Sequence, residues 1–184
     1  MIQRLLLAVA AATLAAPALA ADYVHTDGSA AYVVPAGITL KPDSRLKANQ
    51  ASFDVDRRGV ARAGVCVLSI NLLPADANLD SWAKMKQTAQ ADPEAMARKT
   101  VRAPDSFVGL GGFRPLTLRG GGDGYVYWVT SRQPDGREQT DLTAIGLIDQ
   151  RHLYAANCSS EPGLTFAPAE IERIFRLAAS VKQP

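Results

Sequence analysis

The chain has 184 residues, with 20 Lys and Arg against 18 Asp and Glu and a formal net charge of +2. That near balance excludes the strongly basic field of a nucleic-acid binder and the acidic tail of a solvating segment. Hydrophobic residues make up 47% of the chain, which supplies one sizeable core at a length that fits one domain behind a leader.

The leader comes first. Arg4 gives a positive start, and Leu5 to Ala16 is an apolar run interrupted only by Thr13. Pro17 ends the run, and Ala18-Leu19-Ala20 presents small residues to a signal peptidase. The run is about a dozen residues long, where a membrane-spanning helix needs roughly 20. We therefore expect residues 1–20 to be a signal peptide cleaved after Ala20, with no membrane insertion afterwards. No Cys follows the run, so a lipoprotein anchor is not indicated. The expected destination is the periplasm, or the medium beyond it.

Residues 21–184 read as a single α+β domain, ordered over about 30–182. Ala31 to Val34 is a strand candidate, broken by Pro35-Ala36-Gly37 and resumed at Ile38 to Leu40. Ser52 to Val55 is short and extended. Asp56-Arg57-Arg58-Gly59 signals a turn, and a second arm runs towards Leu73. In Val65 to Leu72 apolar residues fall on both faces, which predicts a central strand covered on each side.

The period then changes. Leu79, Trp82, Ala83 and Lys86 share a face at helical spacing, with Asn78 or Asp80 as cap. Asp92-Pro93-Glu94 reads as an N-cap, a first-turn proline and an acidic first turn, so residues 79–99 hold one helix or two short ones.

Strands return from Phe107. Phe113 to Arg119, Tyr125 to Gln133, Glu138 to Ile148 and His152 to Ser159 read as an antiparallel meander. Gly120 to Gly124, Pro134-Asp135-Gly136 and Asp149-Gln150-Arg151 turn the chain between them. At the end, Ile171, Ile174, Phe175, Ala178 and Val181 repeat at helical spacing behind Pro168, with Glu170 and Glu172 near the favourable dipole end. The whole predicts an antiparallel sheet of about six to seven strands packed with two main helical segments, an α/β/α sandwich-like fold.

The two cysteines, Cys66 and Cys158, both lie in strand-like runs. In an oxidising compartment an even pair is most simply a disulfide, and it would close a loop of about 90 residues. The alternative is two separate buried thiols. A metal pair is disfavoured, because His25 and His152 make no ligand cluster with them.

Candidate chemistry is sparse, and no catalytic, cofactor or metal residue is assigned. His152 offers a general base or a pH-sensitive group, or else an ordinary strand-end histidine. No Gly-x-Ser-x-Gly elbow accompanies Ser69, Ser131, Ser159 or Ser160. Gly109-Leu110-Gly111-Gly112 and Gly120 to Gly124 lack the Lys-Ser/Thr and helix that a phosphate loop needs, so they read as a bend and a hairpin turn. Asp54 and Asp56 are spaced to share a strand face, and beside Arg57 and Arg58 they suit surface pairing better than calcium.

The most informative non-catalytic set is aromatic. Tyr125 and Tyr127 share one strand face and Trp128 points to the other, with Trp82 on the helix. Either helices cover both faces and all four rings are core, or one face is open. In the second case Tyr125, Tyr127, Trp128 and Arg132 mark a candidate binding surface, rimmed by Arg114, Arg119 and Arg137.

The order of elements resembles the PsbP/Mog1-like superfamily, small exported bacterial members included. The resemblance lies in Val34-Pro35-Ala36-Gly37-Ile38, the long strand leading to a helix with Trp82, the meander, and the strand His152 to Cys158 leading to a helix ending Ala178-Ala179-Ser180-Val181. It implies an antiparallel sheet between helical layers and a non-enzymatic role in protein binding or assembly. The expectation is a disulfide-stapled exported protein with a partner in the cell envelope and no cofactor. An immunity-type inhibitor is one form of it. The alternatives are a small exported hydrolase using His152 and an envelope ligand carrier.

Overall fold

The computed structural model describes residues 22–24, 31–33, 40–41, 49–57, 60–74, 76–77, 79–101, 106–118, 121–148, 150–164, 169, 172, 175 and 179–180. The leader, the cleavage site at Ala20, His25 and Arg119 lie outside them, as do the helix-face residues Ile171, Ile174, Ala178 and Val181.

Seven strands form one antiparallel sheet. In chain order they are β3 (Leu40–Lys41), β4 (Gln50–Arg57), β5 (Val60–Leu72), β6 (Phe107–Thr117), β7 (Asp123–Arg132), β8 (Glu138–Ile148) and β9 (His152–Ser160). In space they run β3-β4-β5-β9-β8-β7-β6. The expected meander of the last four is present, and β5 joins it through β9, far along the chain. A small sheet pairs β1 (Asp22–Val24) and β10 (Ala179–Ser180) on either side of β2 (Ala31–Val33).

Two helices cross between β5 and β6: α1 (Leu79–Ala91) and α2 (Pro93–Thr100). The proline decides that there are two. A residue before proline is pushed out of the helical region, and Asp92 sits at φ −144°, ψ 78°. Its carboxylate then caps α2, accepting a 2.9 Å bond from the Ala95 amide.

The C-terminal expectation needs one correction. Ala169, Glu172 and Phe175 are helical, but Ala179 and Ser180 are strand, paired with Tyr32 and Ala31. The helix therefore does not run through to Val181. Ladder bonds to β2 take up backbone groups that a further helical turn would need.

Alternation along the strands sorts the core into two clusters. One holds Phe53, Cys66, Leu68, Ile70, Val126, Leu142 and Tyr154 from the sheet, with Phe175 from the C-terminal segment. The other holds Tyr125, Tyr127 and Val129 with Ala89 of α1 and Ala97 of α2. The fold is α+β, with apolar side chains buried from the two sheet faces.

β5 follows the two-faced reading in part. Cys66, Leu68 and Ile70 are buried, whereas Val65 and Val67 on the other face are half-buried. Cys66 and Cys158 are direct cross-strand partners, and they form a disulfide.

Candidate binding surface

β7 carries the residues the sequence singled out, and its pleat separates them. Tyr125 and Tyr127 turn towards the helices and retain 5% and 3% of their exposure. They are core, not surface. Tyr125 lies between the rings of Trp82 and Phe113, at centroid distances of 6.2 Å and 5.6 Å, and 6.3 Å from Tyr127. Tyr127 fastens α2 by donating 2.9 Å from its hydroxyl to Thr100 Oγ1. Burial, with the neighbouring Tyr127 hydroxyl, pushes Tyr125 up to about 12.

Trp128 and Arg132 lie on the opposite face with Thr130 between them. Trp128 is half-buried against the disulfide-bearing core. The Arg114 guanidinium stacks 5.2 Å above the indole and reaches Glu172 at 3.5 Å. Arg132 is exposed and pairs with Glu138 at 2.9 Å. Trp and Arg are enriched at the energetic centre of interfaces, where each offers a broad flat face to a partner. The candidate surface thus contracts to Arg114, Trp128, Thr130 and Arg132, with the two tyrosines removed from it.

The indole also explains the glycines. A Cβ built on Gly111 or Gly112 would collide with the Trp128 ring. The stretch read as a bend is instead part of β6, whose register shifts at Phe107/Gly109 and Leu110/Gly112. The signal was present as glycines opposite a tryptophan, but only the strand pairing shows them to be neighbours.

One polar cluster was missed. Asp141 on β8 accepts from Ser131 Oγ on β7 and Ser159 Oγ on β9, both at 2.6 Å, and from Gln139 Nε2 at 2.9 Å. Each carboxylate oxygen is engaged, and three adjacent strands are tied together. No sequence spacing reveals this, because the partners come from three strands.

His152 is buried at the far end of β9, retaining 6% exposure. It lies seven positions from Ser159 along the strand, about 23 Å at roughly 3.3 Å per residue. The serines bonded to Asp141 are therefore out of its reach. Ser160 is also committed, accepting from the Thr140 amide and donating to the Leu164 carbonyl, each at 2.8 Å. Gly122 and Gly124 belong to the hairpin entering β7. Among the described residues no group of three or more His, Cys, Asp or Glu is placed to hold a metal ion.

A scan against protein-family models and a search of curated proteins both return no match.

Proposed function

We propose that this chain is an exported binding or assembly protein, working in the periplasm or outside the cell and performing no chemistry of its own. The observation that carries the reading is the disulfide. Cys66 and Cys158 retain 0% and 2% exposure, and their bridge joins core strands whose cysteines are 92 positions apart in sequence. Such bonds form and persist where thiols are oxidised, which agrees with the leader-like residues 1–20. The two-sided core further supports an α/β/α sandwich, with α1 and α2 on one face and the segment bearing Phe175 on the other. That layering is what the PsbP/Mog1-like resemblance implies. The partner is a protein of the cell envelope, engaged through Trp128 and Arg132.

Expression of the full chain in a bacterial host tests both parts. The periplasmic product should begin at Ala21 and carry no alkylatable thiol before reduction. An intact N-terminus on cytosolic protein with two free thiols would overturn the export reading. A photocrosslinking residue in place of Thr130 should trap one protein partner in the native envelope, and W128A with R132E should abolish the adduct. An adduct of unchanged yield in that double variant would remove the surface from the proposal.

A further inference from the structure

Helix α1 is lightly held. Ala89 is its one fully buried residue among the described side chains, and Met85 stays 38% exposed. Two polar contacts from α1 to the sheet converge on one carboxylate. Trp82 Nε1 donates 3.2 Å to Asp123 Oδ1, and Lys86 Nζ pairs with Asp123 Oδ2. Trp82 stacks on Tyr125, which in turn stacks on Phe113 and Tyr127. α2 is fastened to the sheet independently, by the Tyr127–Thr100 bond and buried Ala97. Between the helices, Asp92 already has non-helical dihedrals, the kind of element-terminal position at which a hinge absorbs its rotation.

We propose that α1 is a hinged cover over the aromatic face of the sheet, latched by the Asp123 carboxylate and released by acid while α2 and the sheet stay in place. The Lys86–Asp123 ion pair joins α1 to β7. Lys86 is the charged group in contact with Asp123 among the described residues. Directly across from Asp123 stand Thr117 on β6 and Leu147 on β8, both uncharged. Tyr125 shares its face on β7, and the other charged residues of α1, Asp80 and Lys84, are exposed. Partial burial alone would raise the Asp123 carboxyl. The bonds from Lys86 and Trp82, with the Lys86 charge, outweigh that and hold it below the usual carboxylate range. A carboxylate depressed in the folded state stabilises it above the ordinary carboxylate pKa of about 4, and the contribution is lost as pH falls through the folded value. Acid therefore opens the cover, and neutral pH closes it. Opening uncovers Tyr125, which the closed form keeps at 5% exposure.

Hydrogen exchange on the oxidised chain reads this directly. Corrected for intrinsic rates at pH 7, α1 amides should exchange faster than those of α2 and β7. D123A should raise α1 exchange about two- to fivefold and leave β7 to β9 unchanged. Unaltered α1 exchange in D123A overturns the proposal, as does an increase shared equally with the sheet. Acid titration of the otherwise unaltered latch keeps the test open if D123A folds poorly. In W128F, Trp82 is the remaining tryptophan. Its emission should shift to the red on acidification before the far-ultraviolet strand signal falls. Coincident transitions would mean that α1 and the sheet open as one unit.

Discussion

Gly112 shows how much one missing methyl group decides. Its backbone lies against the Trp128 indole at a distance that leaves no room for a Cβ, and that indole packs on the main core. Gly112→Val should cost about 1–3 kcal/mol, because overpacking forces the ring off its rotamer or the edge strand off β7. Urea denaturation followed by tryptophan emission measures it, and a fall below about 0.5 kcal/mol would mean that the ring has free space. Asp141 makes the opposite point. One donor from each neighbouring strand and a third from its own strand satisfy it, so a single carboxylate braces the sheet. Neither role is legible residue by residue. A glycine or an aspartate in a strand has the same local meaning wherever it falls, and its partner is fixed only by register.

Among the elements, the helical pair was the best signposted. Asp92-Pro93-Glu94 encodes a stop and a restart by local chemistry alone, through the steric limit before proline and the capping carboxylate. Asp92→Ala should lower stability by about 0.5–2 kcal/mol, with the loss concentrated in faster amide exchange at the first turn of α2. An even loss across both helices would show that they form a single cooperative unit. The β6 edge was read less well. Its glycines suggested a bend, yet pairing with β7 absorbs them as two irregularities. Those irregularities and Pro115 break the run of regular, outward-facing ladder groups, which is how edges are kept from pairing with other chains. The C-terminal helix was overextended for a related reason. Apolar spacing continues past Phe175, but hydrogen bonding to β2 takes Ala179 and Ser180 into a strand.

For the whole molecule the disulfide is the decisive long-range restraint. It pins β5 to β9 and encloses α1, α2 and the β6 to β8 meander within a loop whose ends are 92 positions apart. Removing it, as C66A with C158A, should cost about 2–5 kcal/mol, largely by freeing the unfolded chain. The denaturation midpoint of the double variant should match that of the reduced wild-type protein, and no change in midpoint would show that the sheet alone holds these strands together. The sequence by itself determined the α+β class and the four-strand meander, and marked Asp92-Pro93 and the two cysteines as the places where a helix break and a bridge could fall. These follow from local steric preference, from period and from counting. The tertiary structure decided which aromatic residues face outward, which glycines make room for a ring, and which carboxylate fastens a helix. Those depend on strand order and register, which place residues far apart in the chain within a few ångströms of one another.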